Sequence, residues 1–174
     1  MRRRAGVAPV TAAVAAAVAA GACADQPLPG TMLGTYQVVG QSLTNTCGLG
    51  MPNPWNFDVQ LSRDGGTLYW SWIDGRPALY GPLTNQSDAE LTATQQANVD
   101  GTADGGLGPC TLSRADSVQV QLGTGSQPAA FTATIQYAFS VVSGSDCSDQ
   151  LTSVGGQYDA LPCTIVYSAE GSRR

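Results

Sequence analysis

From Phe131 to Val141 every second residue is apolar or aromatic: Phe131, Ala133, Ile135, Tyr137, Phe139 and Val141. Thr132, Thr134, Gln136, Ala138 and Ser140 lie between them. A period of two held this long turns one face of a strand to a core and the other to water. A helix would scatter the same side chains around its circumference, so the segment needs sheet neighbours on both sides.

The rest of the chain supplies those neighbours. Leu33 to Leu43 has strand character, with Gly40 expected as a bulge or bend. Asn56 to Ser62 alternates around Phe57, Val59 and Leu61, and Arg63-Asp64-Gly65-Gly66 follows as a hairpin turn. Thr67 to Ile73 returns with Leu68, Trp70 and Trp72 on one face and Tyr69 on the other. Asp74-Gly75-Arg76-Pro77 marks a second turn, followed by a short strand over Ala78 to Tyr80. Ala89, Leu91 and Ala93 set the next strand. Cys110 to Leu122 follows with Val118, Val120 and Leu122 alternating with Gln119 and Gln121. Cys163 to Ser168 is the last. Gly101 to Pro109 is a loop within the domain, because strand patterning resumes at once. No stretch has helical periodicity. The expectation is an all-β fold, a single antiparallel domain of about eight strands, closed as an up-and-down barrel or folded as a β-sandwich. Gly34-Thr35-Tyr36 resembles the Gly-x-Trp opening of lipocalin-type barrels, with Tyr in place of Trp. That resemblance implies an up-and-down barrel and a carrier of a small apolar ligand.

The N-terminus carries an address. Three arginines precede an uncharged, alanine-rich run that reaches Cys23, the layout of an export signal. The run is too poor in strongly apolar residues for a membrane span, which needs about 20 of them. Ala20-Gly21-Ala22-Cys23 resembles the lipobox of bacterial lipoproteins, with Ala20 where a large aliphatic residue is usual. The resemblance implies cleavage before Cys23 and acylation of its thiol. Cysteine parity agrees: of five cysteines, removing Cys23 leaves Cys47, Cys110, Cys147 and Cys163, an even set for disulfides in an exported domain. The organisation expected is therefore a signal peptide over 1–22, a lipid-anchored polar leash over 23–31 and one β domain over 32–174. Ala24 follows Cys23 where an Asp would retain the chain at the inner membrane, so the cell envelope at the outer membrane is the expected location. Without the lipid the chain would be periplasmic or secreted.

Four cysteines allow three pairings. The polar segment from Ser143 to Cys163 has few apolar residues to hold it, which favours Cys147–Cys163, leaving Cys47–Cys110.

Several functions are excluded or disfavoured by residue type. The chain has no histidine, which removes the usual Ser-His-Asp and Cys-His machinery and His-ligated metals. It has no lysine for a Schiff base, and its glycine runs open no phosphate-cradling helix. From Cys23 onward five arginines face thirteen acids, a net charge of −8 that repels nucleic acid. No cofactor, metal or catalytic residue is expected. Asp146, Asp149 and Asp159 share one loop region and Asp100 and Asp104 another, without a calcium-loop pattern. Phe57, Tyr69, Trp70 and Trp72 are the candidate ligand-lining residues. The functional expectation is a non-catalytic binding or structural role. An envelope hydrolase using two acidic side chains, or a carrier of a small apolar ligand, stands as the alternative.

Overall fold

A computed structural model describes residues 28–99 and 110–174 of the chain. The signal peptide, Cys23, most of the leash, Asp100 and Asp104 lie outside the described residues.

Eight strands form one closed, antiparallel, up-and-down barrel. They are β1 (Thr31–Asn45), β2 (Trp55–Asp64), β3 (Thr67–Trp72), β4 (Leu79–Thr84), β5 (Asp88–Val99), β6 (Cys110–Leu122), β7 (Ala130–Val141) and β8 (Cys163–Arg173). The barrel is one of the two expected architectures, and closure decides it: β1 pairs with both β2 and β8. Each strand then has a neighbour on either side, which removes the exposed sheet edge that a sandwich leaves. Gly65, at φ 55°, adopts the left-handed conformation that a two-residue hairpin requires between β2 and β3.

Gly40 is not a bulge, contrary to the sequence expectation. It sits in regular register with Trp55 on β2 and Ala169 on β8. The irregularities in β1 fall at Met32/Gly34 and Ser42/Thr44. A Cβ at Gly40 would make ordinary van der Waals contacts with the Trp55 and Tyr167 rings at 3.6 and 3.5 Å.

The disulfide pairing also differs from the expectation. Cys47 joins Cys163 and Cys110 joins Cys147. In an antiparallel ladder the end of one strand lies beside the start of its partner. Cys47 follows the end of β1 and Cys163 opens β8; Cys110 opens β6 beside the end of β7, whose outgoing loop holds Cys147. Barrel closure, a contact across nearly the whole chain, outweighed the short loop that favoured Cys147–Cys163. Two disulfides place the domain in an oxidising compartment outside the cytoplasm. No described helix is long and apolar enough to cross a membrane.

The two ends of the barrel differ. At the end where the chain enters, Ser62 Oγ donates to the Pro29 carbonyl at 2.7 Å, and Tyr36 Oη donates to the Pro128 carbonyl at 2.7 Å. The Arg173 side chain lies along Gly34 and donates to the Gln127 carbonyl. This end we call the base. The opposite end, the mouth, collects both disulfides and the loops after β1, β3 and β7.

Between the ends the interior is packed. Trp70 on β3 is fully buried, its ring 5.3 Å from both Trp72 and Phe131 in edge-on contacts. Tyr36 meets Phe131 edge-on at 5.2 Å. One level of the barrel carries a row of small inward residues on five adjacent strands. Register aligns Ala89, Val120, Ala133, Ala169 and Gly40 on β5, β6, β7, β8 and β1. The small row runs between larger inward residues of the same strands, among them Phe131, Ile135, Tyr137 and Tyr167, and together with the rings on β2 and β3 these fill an eight-stranded interior.

Candidate functional site

Two surfaces bear on function, one at the mouth and one on the outer wall. The mouth is built where β2 and β6 begin and β3 and β7 end. On β6, Arg114 and Asp116 share the inward parity of Val118, Val120 and Leu122. Asp116 is buried and held in a two-pronged ion pair, with Arg114 Nε and Nη2 donating to its oxygens at 2.7 and 2.8 Å. The Arg114 guanidinium lies 5.4 Å from the Tyr137 ring. In the turn after β3, Arg76 Nε donates to both Asp74 oxygens at 3.0 and 2.9 Å, and Nη1 donates to Tyr137 Oη at 3.2 Å. The Arg76 guanidinium sits 3.7 Å above the Trp72 ring and 5.1 Å from Trp55. Hydrogen bonds from Arg76 hold the Asp74 carboxyl below its ordinary range. Burial, reinforced by the Asp116 charge and opposed by both arginines, pushes the Tyr137 phenol up to about 12.

This cluster has the chemistry of a plug. Each guanidinium is matched by a carboxylate, and the planar cations cover aromatic faces. A phenol that keeps its proton to about pH 12 is no general base at neutral pH. The parity of Arg114 and Asp116 was legible in the alternation of Cys110 to Leu122, had it been followed back from Val118.

The candidate lining residues divide between interior and exterior. Trp70 and Trp72 point inward into the packed core, and half-buried Phe57 leans on Trp55 and Trp72 at 4.1 and 5.2 Å. Tyr69 points outward, as expected, and meets Tyr80 on the outer wall at 6.0 Å. Phe57 and Trp72 are therefore brought together beneath the Arg76 plug, Trp70 lies deeper, and Tyr69 is separated from all three. The loop carboxylates do not converge. Asp146 accepts the Ser148 N–H at 3.0 Å, which lowers its pKa, while Asp159 accepts the Thr152 hydroxyl at 3.1 Å. Among the described residues no three metal-ligating side chains gather.

The second surface is a groove of about 800 Å³ on the outside of the wall. It lies over the row of small inward residues, four of which form its floor. At this level the inner face carries only Ala, Val and Gly, with larger residues such as Phe131 and Ile135 above and below it, so less side-chain bulk stands between backbone and core here. A wall with less bulk at one level packs closer to the core there, which is our account of the concavity. Two outward rows flank that floor. One is Glu90, Gln119, Thr134, Ser168 and Gln41; the other is Asp88, Gln121, Thr132, Glu170 and Val39. Each row takes one side chain from each of five adjacent strands. In the second row Gln121 Nε2 donates to Asp88 Oδ1 at 3.3 Å, and Ser87 Oγ donates to Asp88 Oδ2 at 3.1 Å. A second concavity of about 600 Å³ continues the groove toward the base, sharing Val39, Gln121, Thr132 and Glu170. Sequence reasoning missed this site. Its residues are the polar half of ordinary alternating strands, and only the cross-strand register assembles them.

No family model, curated protein or solved structure matches the chain.

Proposed function

We propose that the protein is exported, acylated at Cys23 and held at the outer membrane, where it acts as a non-catalytic binding module through the groove on its outer wall. The observation that carries this reading is the groove itself, a concave polar surface spanning five strands. The packed interior and the plugged mouth are the reason for placing the ligand outside the barrel. Compartment supports the same reading: the disulfides belong outside the cytoplasm, and the sequence before Thr31 has the layout of a lipoprotein signal. Cys23 precedes β1 by eight residues, so the leash spans at most about 28 Å and keeps the base near the membrane.

Two measurements test it. Wild type expressed in a bacterium with lipoprotein processing should carry lipid mass and sediment with outer membranes, and Cys23→Ser should lose both. A soluble wild type with an unmodified Cys23 refutes the anchor. For the groove, a photo-crosslinking residue at position 132 should give an adduct in intact cells that the same residue at position 69 does not. Equal labelling, or none, refutes the groove.

A further inference from the structure

We propose that the groove holds a linear β-1,4-linked glycan without acidic groups, lying across the strands. This rests on the groove being the binding surface. Three observations point to the ligand class. The first is spacing. Each row offers one polar side chain per strand, and strands lie about 4.8 Å apart. That interval is close to the advance of one pyranose unit along an extended chain, so consecutive sugars meet consecutive strands.

The second is chemistry. The two rows supply amides, hydroxyls and carboxylates, which donate to and accept from sugar hydroxyls. Asp88, Glu90 and Glu170 are the charges among the lining residues, and among the described residues no arginine lines the groove to neutralise them. Acidic glycans, nucleic acid and anionic lipid headgroups are therefore repelled. Val39, facing outward, leaves an apolar patch for the C–H face of a ring.

The third is the backbone. β6, β7 and β8, which form the middle of the groove, each pair on both sides. An extended peptide added as a further strand finds no free edge there. A flat glycan ribbon binds through side chains and needs none.

The test uses the full chain, titrated with cellohexaose, chitohexaose and, as the acidic control, hexagalacturonate, and followed by NMR chemical shifts. The expected result is that at least one neutral hexasaccharide shifts resonances of Gln119, Thr134 and Ser168, and that hexagalacturonate does not. Thr134→Arg, which fills the centre of a row, should weaken binding at least tenfold. Tyr69→Ser, on the outer wall across the barrel, should leave it unchanged. Absence of groove shifts with both neutral hexasaccharides overturns the proposal, as does equal binding by Thr134→Arg or a preference for hexagalacturonate. An adduct at position 132 in cells together with no hexasaccharide binding would leave the groove as a site for another class of molecule, such as a protein, and remove the glycan. Absence of the adduct would remove the groove reading itself.

Discussion

Ala133→Leu tests the idea that small inner residues shape the outer groove. Ala133 points inward at the centre of the small-residue row and is 7% exposed. Two effects of opposite sign compete. If space lay beneath it, three further buried carbons would stabilise the barrel by roughly 2 kcal/mol. If the interior is filled, the added carbons force neighbours off their rotamers or push the wall outward, at a cost of about 1–3 kcal/mol. The structure favours the second, because the core includes Trp70, Tyr36, Ile135 and Tyr167, all essentially without exposed surface. We expect a net loss of about 1–3 kcal/mol. Urea titration followed by far-UV circular dichroism, with disulfides intact, reads it as a lowered midpoint at unchanged slope. Thr134→Val, one residue along and facing outward, serves as control and should stay within about 0.5 kcal/mol. A Leu that stabilised the protein by about 1 kcal/mol or more would reveal empty interior beneath the groove. The packing account of the concavity would then fail.

Other perturbations separate other parts of the account. Trp70→Ala should cost about 3–5 kcal/mol in the same assay and Tyr69→Ala much less; a larger loss at Tyr69 would mean the faces of β3 are reversed. Gly40→Ala should be neutral or stabilise by about 0.4–1 kcal/mol, since its Cβ makes ordinary contacts. Gly81→Ala should destabilise, because a Cβ there runs into the Glu90 carbonyl, and equal tolerance at both positions would count against the register. Peptide mapping without reduction should recover Cys47–Cys163 and Cys110–Cys147; on the loop-entropy estimate the wider loop contributes about 5 kcal/mol and the narrower about 4. Finally, folded Tyr137 keeps its proton to about 12, whereas the unfolded phenol releases it near 10. Its contribution is complete below pH 10 and is lost as pH rises to about 12, a fall of roughly 2–3 kcal/mol. Unfolding free energies across that range should flatten in Tyr137→Phe, and an unchanged slope would contradict the buried phenol.

Much of the fold was legible because alternation is a local property. Eight strands, and the inward sets Phe57/Val59/Leu61, Leu68/Trp70/Trp72 and Phe131 to Phe139, follow from parity alone. Strand ends were less legible. β5 continues from Ala93 to Val99 through Thr94, Gln95, Gln96, Ala97 and Asn98, a stretch without apolar alternation that is held by its ladder to β6. What no window of sequence contains is the β1–β8 pairing, with partners more than a hundred residues apart. That contact decides barrel over sandwich, sets Cys47 beside Cys163, and turns Gly40 from a suspected bulge into the last member of the small-residue row. The groove depends on the same information. Ala89, Ala133 and Ala169 are ordinary inward residues in their own strands, and only register makes them one row.

The distribution of bulk around the barrel links its core to its surface. Trp55, Phe57, Trp70 and Trp72 all lie on β2 and β3, while one level of β5 to β8 and β1 carries only Ala, Val and Gly between larger inward residues. A cylinder of even bulk would have filled the same interior without a concave wall. Trp70 packs on Phe131 and Trp55 on Tyr167, and close packing lets the wall lie nearer the core at the small row between them. The outer groove is then a consequence of core composition, and its depth is set by residues that no ligand touches. A substitution such as Ala169→Val would act on binding from behind the sheet, by lifting the floor between Thr134 and Glu170. Its effect on a bound glycan should therefore track its effect on stability, whereas Gln119→Ala, on the groove face, should weaken binding and leave the urea midpoint where it is.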